Sequence, residues 1–81
     1  MTSAIEISVD ADTFTVTLSD GRLLTVPLSW FPVLLNATAA QLRVVRISSS
    51  GLGLHWPELD EDISVPALLR GQGDQTSRNK G

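Results

Sequence analysis

Apolar and polar residues alternate in three early runs, and a period of two is that of a half-buried strand. Ile5-Glu6-Ile7-Ser8-Val9 is the first run, and Asp10-Ala11-Asp12 makes a short polar turn after it. Thr13-Phe14-Thr15-Val16-Thr17-Leu18 is the second, with Phe14, Val16 and Leu18 on one face and threonines on the other. β-branched threonine suits a pleated, solvated face. Asp20-Gly21 follows, and Asp-Gly between alternating runs is a strong hairpin signal. The third run, Leu24-Thr25-Val26-Pro27-Leu28, contains a proline that cannot donate to a ladder. That strand is therefore expected at a sheet edge or near its own end. Together the runs predict a three-stranded antiparallel meander with one dry face.

The middle of the chain predicts short helices. Ser29 is a candidate N-cap for a helix over Trp30–Leu35, with Pro32 in the first turn and Asn36 closing it in a left-handed conformation. Thr38-Ala39-Ala40-Gln41 has the spacing of a capping box, so a second helix should start there and run to about Arg43 or Val44. Trp30, Phe31, Leu34, Leu35 and Leu42 are expected to cover the dry face of the meander.

Alternation resumes at Val45-Arg46-Ile47-Ser48, and Ser49-Ser50-Gly51-Leu52-Gly53 is turn material. Leu54-His55-Trp56 is the return strand of a second hairpin, with Leu54 and Trp56 inward, His55 outward and Pro57 at its end. Glu58 to Asp62 is expected to be a loop or a single helical turn. Ser64 caps a last predicted helix, Val65–Arg70, with Pro66 in its first turn and Gly71 beyond its end. Residues 72–81 include no aliphatic or aromatic side chain, which predicts a disordered tail behind one domain, 1–71. The fold class is α+β.

Composition narrows the function. An 81-residue chain without cysteine has no disulfide framework, no thiol chemistry and no cysteine metal site. Met1-Thr2-Ser3-Ala4 lacks the basic start of a signal peptide. No stretch approaches the ~18 apolar residues of a membrane span. A cytoplasmic protein is expected. The net charge is −3, and the six basic residues are scattered. Nucleic-acid binders cluster theirs. The acids are clustered instead: Glu58, Asp60, Glu61 and Asp62 fall together next to His55 and Trp56.

That cluster admits several chemistries. His55, Asp60 and Ser64 are the residue types of a hydrolase triad, but triad members are brought together from separate parts of a fold, and Ser64 already has a capping role. His55, Asp60 and Asp62 are acceptable metal ligands, yet the spacing fits neither a closed zinc pattern nor an EF-hand loop. Glu61 and Asp62 precede the last helix, where negative charge meets the positive end of the helix dipole. Alternatively the acidic loop, beside a tryptophan ring and a histidine edge, is a docking patch. Trp30, Phe31 and Trp56 are expected in the core rather than around a ligand. Gly51 and Gly53 precede a strand rather than a helix, so they do not form a phosphate loop.

The order of features resembles the domain of unknown function 2442 family. The residues that carry the resemblance are Asp20-Gly21-Arg22, Val26-Pro27-Leu28-Ser29-Trp30-Phe31-Pro32, Leu34-Leu35-Asn36-Ala37-Thr38, His55-Trp56-Pro57, Leu59 to Val65, and Leu68-Leu69-Arg70-Gly71. The resemblance implies a small α+β domain without an established activity. It also implies an association with two-gene toxin–antitoxin modules, some members of which carry a helix-turn-helix region after this domain. The stretch after Gly71 is too short for such a region, and no catalytic residue is carried over.

The expected function is therefore non-catalytic protein binding, in an antitoxin-like or inhibitor-like role. His55, Glu58, Asp60, Glu61 and Asp62 would dock on a basic surface of another protein, a toxin or another nucleic-acid-handling protein. No cofactor, metal, membrane or direct nucleic-acid contact is expected. The alternative is a small regulatory module that binds a small molecule or acts with a DNA-binding partner.

Overall fold

The Asp20-Gly21 signal forms the turn it predicts. In the computed structural model, which describes residues 2–71, Gly21 has a φ of 93° and its N–H donates to Leu18 O, and Leu18 N–H donates to Arg22 O. This is a tight turn followed by a left-handed glycine, the usual three-residue hairpin loop. It joins β2 (Thr13–Leu18) to β3 (Leu23–Pro27), and β1 (Ala4–Val9) pairs on the other side of β2. Phe14, Val16 and Leu18 are buried while their threonine neighbours are partly exposed, as the alternation requires. Pro27 is the last residue of an edge strand, where its missing donor costs nothing.

The predicted helix after β3 is split in two. The residue before a proline is disfavoured in the α region, and Phe31 is extended, with φ −131° and ψ 98°. A 3₁₀ turn, Leu28–Trp30, precedes it, and α1 (Pro32–Leu35) starts on Pro32. Ser29 therefore caps nothing. The break also carries Trp30 to the surface, 38% exposed, and leaves Leu35 exposed, whereas Phe31 and Leu34 enter the core. Asn36 closes α1 with a φ of −93°, not in the left-handed region; its backbone N–H and its Nδ2 both donate to Pro32 O. The capping box is complete: Thr38 Oγ1 accepts from Gln41 N–H, and Gln41 Oε1 accepts from Thr38 N–H, at the start of α2 (Ala39–Arg43).

The second hairpin, β4 (Arg46–Ile47) and β5 (Gly53–Trp56), is present and gains a third strand, β6 (Glu61–Ser64). The architecture is thus α+β, with two three-stranded antiparallel sheets and three short helices. The stretch expected to be a loop supplies β6 because Ile63 is buried against the core, although acidic residues are poor strand formers. The ladder runs on into α3 (Val65–Leu69), since Val65 N–H donates to Leu52 O. Ser64 caps that helix as predicted, accepting from Ala67 N–H. The tail expected over 72–81 lies outside the described residues.

One core joins the two sheets. Phe14 of the first meets Trp56 of the second edge-on, ring centres 5.6 Å apart, and Phe31 lies 6.3 Å from Phe14 on another side. The buried indole N–H of Trp56 donates to Leu42 O at 3.0 Å, which ties β5 to α2. The N-terminal edge is fastened by Ala4 N–H to Gly51 O at 2.7 Å. Among the described residues no helix is long and apolar enough to cross a membrane.

Candidate functional site

The site begins with a four-residue turn, Pro57-Glu58-Leu59-Asp60, between β5 and β6. Leu59 N–H donates to Trp56 O and Asp60 N–H to Pro57 O, at 3.1 and 3.4 Å. Asp60 has a φ of 51°, a left-handed conformation that aspartate tolerates better than most residues. Leu59 packs against the core and pins the turn from below. Glu58 and Asp60 stand exposed on this fixed tip, and Glu61 is half-buried where β6 begins.

His55 and Asp62 are opposite each other on β5 and β6. Their side chains meet on the outer face, His55 Nδ1 lying 2.6 Å from Asp62 Oδ1. A carboxylate oxygen accepts, so Nδ1 carries the shared proton and Nε2 points away from it. Arg46 of β4 is opposite His55, so guanidinium, imidazole and carboxylate form one row across the sheet. Asp62 therefore pairs across strands and is not placed in the first turn of the last helix, which includes no acid. The helix-dipole role expected of Asp62 and Glu61 is replaced by strand pairing.

The other expected arrangements are resolved as follows. No hydrogen bond joins His55 to Asp60 or Ser64 among the described residues, and Ser64 Oγ is engaged by the helix cap. No group of three His, Asp or Glu side chains able to hold a metal ion occurs among the described residues. Trp56 is wholly buried, so its ring cannot flank the acidic turn as a surface anchor. Register explains this: Trp56 and His55 are neighbours on one strand and must face opposite sides. The feature missed from sequence is the His55–Asp62 pair, because Asp62 was not assigned to a strand. Ile63 between two polar residues was the available signal.

A concave feature lies elsewhere. A cleft of about 520 Å³ opens between the end of β1 and α2, floored by Val9, Ala37 and Leu42, with Asp10 and Arg43 in its lining.

The geometry defines a class: a small α+β domain of two short antiparallel sheets sharing one core, with an acidic hairpin tip on the second. The chain belongs to the family described as protein of unknown function (DUF2442), whose model matches residues 4–74. It is similar to a protein of unknown function from Rhodospirillum rubrum solved by crystallography, at 31% identity and a TM-score of 0.84, over 94% of each chain. It is also similar to an uncharacterized protein from Chromobacterium violaceum solved by NMR, at 28% identity and a TM-score of 0.78, over 91% of this chain and 70% of that one. Comparison with curated proteins finds no match.

Proposed function

We propose that the protein is a non-catalytic protein-binding module, antitoxin-like or inhibitor-like, that lays its acidic hairpin tip on a basic surface of a partner protein. The observation that carries this is the fixed presentation of Glu58 and Asp60. Both are exposed, and the backbone beneath them is held by turn hydrogen bonds and by Leu59. A preorganised charged tip loses little freedom on binding, and its charge speeds encounter with a basic surface. Glu61, Asp62 and His55 flank the tip, and the His55–Asp62 pair offers the partner a polar edge. A nuclease-type toxin or another nucleic-acid-handling protein has the required basic surface, and toxin–antitoxin pairing would be the cellular setting.

The test is a co-purification from the native host followed by association kinetics with the recovered partner over a salt series. The wild-type rate should fall steeply with salt. The Glu58→Lys/Asp60→Asn variant should associate more slowly at low salt and converge on wild type at high salt. Asparagine is chosen at position 60 because it also accepts a left-handed backbone. Equal rates for both proteins, without salt dependence, would remove the tip from the interface.

The cleft beside α2 favours a second reading, a small regulatory module that binds a small molecule. Its volume lies within the usual range of ligand pockets, roughly 300–1,000 Å³. Amide shifts confined to Ala11, Ala39 and Arg43 on titration with a metabolite panel would support it over the first.

A further inference from the structure

Four strands form sheet edges among the described residues, and three of them are short, covered or charged. β1 is bulged between Ala4 and Glu6 and is fastened at its start to Gly51. β4 has two residues, and β6 includes Glu61 and Asp62. Such devices keep edges from pairing with other chains. β3 has none of them along Leu23–Val26. It is five residues long, uncharged and regular in its register with β2.

The direction of its backbone groups follows from the ladder. Leu18 N–H donates to Arg22 O, and Leu28 N–H donates to Asp12 O, so both ends of the register are hydrogen-bonded pairs. Such pairs alternate in an antiparallel ladder, which directs Leu24 and Val26 toward β2. Leu23, Thr25 and Pro27 then present their backbone groups outward. Leu23 and Thr25 each have an outward N–H, and Pro27 has only a carbonyl. Leu23 is also the most exposed of the large apolar residues, at 68%.

We propose that this edge is self-complementary and pairs, antiparallel, with β3 of a second copy about a two-fold axis at Thr25. Thr25 then exchanges both hydrogen bonds with its symmetry mate. Leu23 stands opposite Pro27 of the second copy, so its N–H meets the proline carbonyl, while the Leu23 carbonyl, which proline cannot serve, keeps its water. Every outward donor of the two edges finds an acceptor. The same register lays the exposed Leu23 side chain beside a proline ring. The result is one six-stranded sheet with no charge along the seam. The edge is about 17 Å long, too short for the roughly 1,200 Å² of a stable interface. The dimer is therefore weak and depends on concentration. It uses the first sheet only and stands or falls independently of the acidic tip.

The experiment is sedimentation of the full chain from micromolar to millimolar concentration, with amide hydrogen exchange at both ends of the range. The Leu24 and Val26 amides should be protected throughout. Those of Leu23 and Thr25 should exchange freely when dilute and gain protection as the dimer forms. Leu23→Lys, at an exposed site, should leave the monomer folded and weaken dimerisation at least about tenfold, a change of 1.4 kcal/mol. Thr25→Pro, at an outward N–H, should abolish it. A chain that stays monomeric at millimolar concentration overturns the proposal. So does a dimer in which the Leu23 and Thr25 amides stay unprotected, or one indifferent to Leu23→Lys.

Discussion

The two sheets have the same number of strands and the same antiparallel order, yet they hold together differently. The first has strands of six, six and five residues, and its outer face is mostly hydroxyl, with Thr15 and Thr25 joined Oγ1 to Oγ1 at 3.0 Å. The second has strands of two, four and four residues, and its outer face includes the Arg46–His55–Asp62 row. Short strands supply few ladder bonds, and small sheets need a packed face to be stable. The second sheet therefore depends on its buried side, where Leu54, Trp56 and Ile63 meet the core. Chemistry that faces solvent is placed on the sheet whose stability comes from the opposite face.

The largest expected effect breaks that dependence. Trp56→Ala should cost about 3–5 kcal/mol, which matches the whole stability of a domain at the low end of the usual range of about 5–15 kcal/mol. Trp56→Phe keeps most of the ring contact with Phe14 but leaves Leu42 O without its donor, and should cost about 1–3 kcal/mol. Urea unfolding measures both. A folded Trp56→Ala protein of near wild-type stability would show that the second sheet is held by its ladder after all.

Two glycines sharpen the comparison next. Gly51 lies where the sheets meet, with a φ of 76°, and a Cβ there would approach Ser3 Cβ to 2.7 Å and Ala4 O to 3.1 Å. Gly21 has a φ of 93° but nothing within 4 Å of an added Cβ. The left-handed backbone costs about 1–2 kcal/mol for a non-glycine residue at either site. Overpacking should add about 1–3 kcal/mol at Gly51 alone. Gly51→Ala should thus melt well below Gly21→Ala. Equal melting temperatures would mean that the N-terminal edge yields without cost.

Smaller effects separate cap from cross-strand pair. Ser64→Ala removes the side-chain acceptor for Ala67 N–H and should cost about 0.5–2 kcal/mol. Asp62→Asn keeps an oxygen beside His55 and should cost no more than about 0.2–1 kcal/mol, the range of a cross-strand pair. If Asp62→Asn proved the more damaging in thermal unfolding, the row on the outer face would be a main support of the second sheet.

The same contrast explains what was legible in the sequence. The meander was legible because Phe14, Val16 and Leu18 alternate with threonines, and Asp20-Gly21 marks the turn. Thr38 with Gln41, and Ser64 before Val65-Pro66, announced their helices through local hydrogen bonds that the structure retains. The helix over Trp30–Leu35 was misread because Pro32 restricts the residue before it, and that restriction outweighed the apolar run. β6 was hidden because one buried isoleucine, fixed only by long-range packing, outweighs two strand-averse acids. With β6 unseen, Asp62 reads as part of a loop or single turn ahead of the last helix, and nothing local announces its meeting with His55.

The smallest expected effect concerns the first sheet's turn, whose acid has a local partner of its own. Arg22 N–H donates to Asp20 Oδ1 at 3.1 Å, and Arg22 Nε donates to Oδ2 at 2.7 Å. The backbone bond first, then the guanidinium, hold the Asp20 carboxyl below its ordinary value. A depressed carboxyl contributes stability that is fully present above its unfolded value, near about 3.9. That contribution is lost as pH falls through the lower folded value. Asp20→Asn keeps an acceptor for the Arg22 amide and removes the charge. Its stability should lie slightly and constantly below wild type from neutral pH down to about pH 5, and the gap should close on further acidification. Exposed pairs contribute little, so urea midpoints of both proteins must be measured side by side at each pH. A gap that persists unchanged to the acid limit would show that the charge contributes nothing. Gly21 and the ladder would then hold the first turn alone, much as backbone bonds and Leu59 hold the turn of the second sheet.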